Sequence, residues 1–325
     1  MIDQEGRCID YLRISITDRC SLRCQYCMPE HGVESLPHAE VLRYDEILRI
    51  AGVMARQLGF AKIKVTGGEP LVRAGCPELI RQLKALSGIQ NVTLTTNGVD
   101  LARQMPALAA AGVDAINISL DTLDPAEFAR ITRRDALPQV LAGIRAAQSF
   151  PGIPLKLNVV PIAEQDETLL ALAELARDWP LHVRFIEMMP IGLGRQYRSR
   201  SEVQLVELLG QRFGPLTPVQ ERYGNGPGHY YALPGFQGRV GFISAISHQF
   251  CGQCNRVRLT ADGFLKTCLQ YESGCDLRAL LRGGCTDEAL CAAIREAILA
   301  KPRCHHFTEA PGQDAERRAM SQIGG

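Results

Sequence analysis

The chain has 325 residues, 46% hydrophobic and 22% charged, with a formal net charge of +1 at pH 7. That balance allows a large core and excludes a nucleic-acid wrapper or a polybasic membrane anchor, so any basic cluster belongs to a local site. The opening segment "MIDQEGRCIDYLRISITD" lacks the apolar core of a secretory leader and no apolar run is long enough for a membrane span, so a cytoplasmic location is expected.

From residue 12 to about 187, β-rich runs alternate with helical patterns. Strands are predicted at 12–17, 61–66, 91–96, 114–120, 155–160 and 182–187. Between the first two, "RYDEILRIAGVMARQLG" places Ile47, Ile50, Ala51, Met54 and Leu58 on one helical face and stops at Gly59. "CPELIRQLKALSG" and "ETLLALAELARD" read the same way. Six strands separated by helices imply a parallel sheet with right-handed crossovers. Many of the runs look apolar on both faces, as suits strands covered by helices. A barrel and an open doubly wound sheet both satisfy the pattern. No G-x-G-x-x-G turn follows the first strand, which counts against a dinucleotide-binding sheet. Polar residues gather instead at predicted strand ends, at Thr66-Gly67-Gly68-Glu69, Thr95-Thr96-Asn97-Gly98, Ser119 and Glu187, where an α/β barrel carries its chemistry.

After residue 190 the alternation stops. A Gly/Arg-rich linker, "IGLGRQYRSRS", leads to a helix near 201–212, a Gly/Pro-rich loop at 224–228 and strands in "YYALPG" and "GRVGFIS". A second cysteine cluster and helices at 276–282 and 286–299 follow. The expected division is 1–194 and 195–325.

Twelve cysteines in a cytosolic chain point to metal or redox chemistry rather than disulfides. Cys20, Cys24 and Cys27 follow the first strand with the spacing C-x₃-C-x₂-C, which about one chain in sixty of this cysteine content would carry by chance. Three thiolates fit either structural zinc completed by a distant ligand such as His31, or an iron–sulfur cluster with one iron left open. Cys251, Cys254 and Cys268 form a second trio, C-x₂-C-x₁₃-C, for which Cys275 is a candidate fourth ligand. Arg256 and Arg258 follow Cys254 after Asn255 and project to one face of a strand, where paired guanidiniums suit phosphate; a solvated edge pair is the alternative. Cys8, Cys76, Cys275, Cys285, Cys291 and Cys304 otherwise read as incidental or packing thiols, and His305-His306 as loop or packing histidines. By itself Gly324-Gly325 reads as a frayed terminus.

The first trio, with Tyr26 inside it and "TGGEP" (66–70) after the second strand, resembles the radical S-adenosylmethionine superfamily. "LRISITDRCSLRCQYCMPEHGV", "KIKVTGGEPLVR", "TTNG", "NISLDT", "LKLNVV", "RFIEMMPIG", "CGQCNRVRLTADG" and the terminal "MSQIGG" occur in order over nearly the whole chain. Within the superfamily they are similar to the GTP 3′,8-cyclase family of molybdenum cofactor biosynthesis. The resemblance implies an α/β fold: a partial (β/α)6 radical-SAM barrel and a C-terminal α+β extension carrying a second iron–sulfur cluster. It implies two 4Fe-4S clusters and S-adenosyl-L-methionine as cofactors. Cys20, Cys24 and Cys27 would hold the first cluster, with Tyr26, Gly68, Ser119 and Met189 (or its neighbour Met188) at the S-adenosylmethionine. Cys251, Cys254 and Cys268 would hold the second, its open iron toward the guanine of GTP. Arg13, Lys64, Thr95, Lys156, Arg256, Val257 and Arg258 match GTP-contacting positions, although Lys64 stands where the family pattern has arginine and so loses the planar fork.

Gly324 and Gly325 would form a flexible tail that reaches into the site and assists catalysis, two residues without side chains suiting such insertion. The implied reaction is abstraction of the ribose 3′ hydrogen by a 5′-deoxyadenosyl radical, attack of C3′ on guanine C8, and reduction to (8S)-3′,8-cyclo-7,8-dihydroguanosine 5′-triphosphate. Both clusters are expected to face each other across the barrel mouth. Expected partners are a reductant such as flavodoxin or ferredoxin and, functionally, cyclic pyranopterin monophosphate synthase, with no nucleic acid or membrane, in a monomer or homodimer. The competing readings are another radical enzyme with an auxiliary cluster, and a zinc-binding interaction protein.

Overall fold

In the computed structural model, which describes residues 1–162, 165–309, 312 and 314–324, spatial order follows chain order through the first half. β1 (Tyr11–Ser15), α1 (Tyr44–Leu58), β2 (Lys62–Thr66), α2 (Cys76–Lys84), β3 (Asn91–Thr96), α3 (Leu101–Ala110) and β4 (Ala115–Ser119) alternate. α4 (Pro125–Thr132), α5 (Leu137–Gln148), β5 (Leu155–Val159), α6 (Asp166–Asp178) and β6 (His182–Ile186) complete the series. β1 to β6 lie side by side in that order, all parallel. A sequential order without reversal is that of a barrel wall; a doubly wound sheet reverses at a switch point.

α1 illustrates why the segments fold locally as they do. Its residues Ile47, Ile50, Ala51, Met54 and Leu58 are all buried. The Glu46 carboxylate accepts the Arg43 N–H at 2.7 Å, which closes the first turn. Gly59 then ends the helix with a left-handed φ of 71°.

Beyond residue 194 the chain extends the same sheet at both edges. After α7 (Glu202–Phe213) come β7 (Thr217–Val219), β8 (His229–Ala232) and β9 (Val240–Ile243), then β10 (Arg256–Leu259), β11 (Phe264–Lys266) and β12 (Gly274–Asp276). α8 (Leu277–Arg282), α9 (Asp287–Leu299) and the single-turn α10 (Met320–Ile323) follow. β9 pairs parallel with β6 and β10 parallel with β1, while β8–β7 and β11–β12 continue outward antiparallel. The resulting order, β12-β11-β10-β1-β2-β3-β4-β5-β6-β9-β8-β7, is an open barrel wall with two free ends.

The strands are not apolar on both faces. Leu12, Ile14, Ile63, Val65, Ile116, Leu157 and Phe185 join helix residues in one core. Arg13, Lys64, Asn117, Lys156 and Arg184 alternate with them and line the concave side. Among the described residues the inner face therefore has no second helix layer, which leaves room for a ligand.

Candidate active site

The concave face encloses a cavity of about 790 Å³, within the range of small-molecule sites, and both cysteine trios line it. Strand register fixes where they stand. Cys20 lies beyond the C-terminal end of β1, whereas Cys254 precedes the start of β10, whose Arg256 stands opposite Tyr11. Because β1 and β10 run parallel, the trios occupy opposite ends of the strand pair, not one shared rim as expected. A strand of this length sets the ends about 15 Å apart. Cys268 follows β11, antiparallel to β10, and so returns to the Cys254 end.

The first trio sits in a loop laid against the turn after β2. The Gly68 N–H donates to the Thr17 carbonyl at 2.7 Å and the Glu69 N–H to that of Arg19 at 2.8 Å. A Cβ on Gly68 would come within 2.5 Å of the Arg19 carbonyl oxygen, so only glycine permits this approach. From the far side, the Arg23 and Gln25 N–H groups donate to the carbonyls of Thr132 and Ile131 at the end of α4. Asn97 Nδ2 points at the Cys20 sulfur at 3.8 Å and donates to Ser21 Oγ at 3.0 Å. The Tyr26 hydroxyl donates to Asp121 at 2.6 Å, and burial lifts that carboxyl to about 6.

Burial also pushes the Cys20 thiol up to about 11 and Cys27 to about 12, and with help from the neighbouring Cys27 it raises Cys24 well above the ordinary thiol range. Three adjacent thiols in an apolar wall become thiolates only against a positive centre, which a bound metal group supplies. Among the described residues no three His, Cys, Asp or Glu side chains are gathered as they would be on a single ion. The donor set suits a larger, thiolate-bound iron–sulfur group.

The second trio is electropositive instead. Burial raises the Cys254 thiol, but Arg256 and Lys301 more than offset it and bring it to about 7. Arg7 braces the turn: its Nη1 donates to the Cys251 carbonyl at 3.2 Å, while its Nε donates to the buried Asp3 carboxylate at 2.7 Å. Cys275 packs on the core from β12 and does not line the cavity, and His31 is exposed away from it. Neither is placed to complete a trio.

Between the trios stands a band of cations. Arg258, Arg13 and Lys64 lie abreast on β10, β1 and β2. Burial, reinforced by Arg13, Arg184, Lys156 and Arg256, drives the Lys64 amine well below its ordinary range. Burial and Arg184 bring Lys156 to about 8; burial brings Arg13 to about 10. His182 falls to about 4 through burial and the charges of Lys156, Arg239 and Arg184. Buried cations that also repel one another inside a cavity suit a polyanionic ligand.

The C-terminal tail enters the same space. The Ser321 backbone hydrogen-bonds the Cys27 sulfur. The Gly324 carbonyl accepts from Arg258 Nη1 at 2.6 Å, and Gly324 takes a φ of 79° with its Cα hydrogens against Ser15 and Thr66.

The pattern of the Radical SAM superfamily matches residues 14–176, and that named Molybdenum Cofactor Synthesis C matches 181–307. A GTP 3′,8-cyclase of Heliobacterium modesticaldum is 46% identical over 333 residues, covering all of both chains. The chain belongs to the GTP 3′,8-cyclase family. Relatives of the same name from Pelotomaculum thermopropionicum (46% identical, all of both chains) and Rhodopirellula baltica (40%, all of this chain and 92% of that one) agree. Among solved structures, Streptococcus suis SuiB bound to its precursor peptide SuiA aligns with a TM-score of 0.60 at 16% identity, over 92% of this chain and 66% of that one. SuiB bound to S-adenosylmethionine aligns at 0.56 and 15%, over 81% of this chain and 60% of that one. These likenesses bear on the fold, which is of the radical-SAM type.

Of the positions that the cyclase family implies, Tyr26, Gly68, Ser119, Met188 and Met189 line the cavity, as do Arg13, Lys64, Thr95, Lys156, Arg256 and Arg258. Val257 does not: it lies on the opposite face of β10, is 1% exposed and packs in the core opposite Leu12. Gly325 lies outside the described residues. His305, read from sequence as a packing residue, also lines the cavity, whereas His306 is exposed beside Glu309. Sequence reading passed over Arg184 and Asp121, and it placed Asn97 and Glu69 at the strand ends without a role; the buried Glu69 carboxyl, at about 7, accepts from Thr96 Oγ1 and the Asn97 N–H. A charged residue in mid-strand was the available signal for Arg184.

Proposed function

We propose that this protein cyclises GTP to (8S)-3′,8-cyclo-7,8-dihydroguanosine 5′-triphosphate, the first step of molybdenum cofactor biosynthesis. One observation carries the reading: two cysteine trios and a buried band of cations share a single cavity. Cys20, Cys24 and Cys27 would hold one 4Fe-4S cluster and Cys251, Cys254 and Cys268 the other. Tyr26, Gly68, Ser119 and Met189 would flank S-adenosylmethionine at the first trio, where one-electron reductive cleavage of its sulfonium C–S bond would supply the radical chemistry.

The chain's own residues bind and orient. A triphosphate carries up to about four negative charges, and its removal from water is tolerated only against matching cations. Arg13, Lys64, Lys156, Arg256 and Arg258 provide them, with Thr95 as a neutral contact. Lys64 offers a point charge in place of a fork. The base then points to the Cys254 end, and the ribose lies between the clusters, so reactants start in place. Gly324, fixed on Arg258, brings main chain rather than side chain to that position. Residues 1–194 carry the first cluster, and 195–325 supply the second and the tail.

A reductant such as flavodoxin or ferredoxin is required, the product passes to cyclic pyranopterin monophosphate synthase, and the enzyme works in the cytoplasm as a monomer or homodimer. No helix among the described residues is long and apolar enough to cross a membrane. The test is anaerobic reconstitution with iron and sulfide, followed by dithionite, S-adenosylmethionine and GTP. A GTP-dependent rise in 5′-deoxyadenosine is expected; its absence overturns the proposal.

A further inference from the structure

Lys266 and Glu316 form an ion pair whose side chains are both 0% exposed, outside the cavity and fifty residues apart. We infer that Glu316 is a positioning residue: with Lys266 and Arg318 it makes a buried clasp that fixes where the C-terminal tail enters the site. Lys266 Nζ donates to the Glu316 carboxylate and to the Tyr271 carbonyl. Arg318 grips the same carboxylate with its own N–H at 2.8 Å, Nε at 3.0 Å and Nη2 at 3.1 Å. Main chain reinforces it, since the Glu316 N–H donates to the Gln270 carbonyl at 2.6 Å and the Glu272 N–H to that of Asp314 at 2.9 Å.

The clasp joins three segments that border the cavity. Gln270 is two residues past Cys268. Arg195 donates through Nη2 to the Glu316 carbonyl and through Nε to the Pro190 carbonyl, next to Met189. On the third side, α10 begins two residues after Arg318 and delivers Ser321 to Cys27 and Gly324 to Arg258. The tail is thus held at both ends, by Glu316 outside and Arg258 inside. A buried pair is a weak source of stability but a strict geometric constraint, because removing one partner leaves the other charge unpaired. That strictness suits a device that sets the entry point of a short tail.

The consequence for turnover rests on the cyclase reading; the consequence for tail order does not. The test uses reconstituted holoenzyme carrying Glu316→Gln, or Arg318→Gln, which loosens the half-exposed side of the clasp and leaves no buried charge alone. Hydrogen exchange, followed by mass spectrometry, is expected to quicken about tenfold or more in residues 314–324 while the β1–β6 strands stay protected. With GTP, kcat is expected to fall about tenfold while KM stays within about threefold, a split that general destabilisation would not give. Removing both buried charges, in Lys266→Met/Glu316→Gln, is expected to restore part of the protection.

Unchanged exchange in 314–324 for Arg318→Gln overturns the inference even if Glu316→Gln fails to fold. Exchange that quickens uniformly, with kcat per folded molecule unchanged, also overturns it. If the wild type makes no product from GTP, the cyclase reading fails while the exchange result still judges the clasp.

Discussion

If the cation band receives the triphosphate, GTP binding must draw protons from solvent. Burial, and then the charge of Arg184, hold the Lys156 amine at about 8 against an ordinary 10.5. At pH 8.5 such a group is about one-quarter protonated. A polyanion beside Lys156 offsets the repulsion from Arg184 and replaces lost solvation, returning the amine toward its ordinary range. Binding at pH 8.5 therefore takes up about 0.75 proton at Lys156, against about 0.1 at pH 7. Lys64, depressed in the same direction, adds to the uptake. The terminal phosphate, with a pKa near 6, is already ionised at pH 8.5 and does not contribute. Calorimetry of GTP binding to the holoenzyme at pH 8.5, in two buffers of different ionisation enthalpy, reads the proton count from the slope. Lys156→Met is expected to lower that count by about 0.75. A count of zero, or one unchanged in Lys156→Met, would refute the placement of the triphosphate on this band.

Gly324→Ala would set a Cβ 2.9 Å from that of Ser15 at a φ of 79°, so turnover is expected to fall at least about tenfold, with GTP affinity within about threefold by calorimetry. Gly68→Ala would meet the main chain of Asp18 and Arg19, which cannot yield as a side-chain tip can. It is expected to lower iron at the first trio and abolish cleavage of S-adenosylmethionine, measured by iron content and 5′-deoxyadenosine. Val257→Ala is expected to cost about 2 kcal/mol in denaturant unfolding and leave GTP affinity unchanged, whereas Arg258→Ala weakens affinity about tenfold or more.

The strands of the first half were legible in the sequence because each is a short β-rich run between helical periods. β3 falls on its predicted residues, and the others lie within two. What misled was the averaging of each run. In "KIKVT" and "LKLNV" the lysines sit at alternate positions among aliphatic residues, which is the period of a wall with one wet face. The resemblance to both faces buried came from counting apolar residues instead of placing them. β7 and β12 were beyond sequence reading for another reason: three-residue strands exist only through their neighbours.

The cysteines were legible because metal ligation demands particular atoms at particular spacings, and the paired arginines because a strand repeats every two residues. The same period that put Arg256 and Arg258 in the cavity turns the Val257 side chain to the other face, which leaves only its main chain to meet a ligand there. The clasp left no local trace, since nothing in the sequence near Lys266 points to Glu316. The opposed trios needed the one fact that sequence lacked, the parallel pairing of β1 with β10. That pairing also bears on the charge pattern. With one trio at each end, the middle of the strands is the inner surface that remains between them among the described residues, and it is there that Arg13, Lys64, Lys156 and Arg258 stand. Buried cations that repel one another weaken a fold unless a ligand answers them. Their position between the two cysteine trios gives that ligand both its charge and its place.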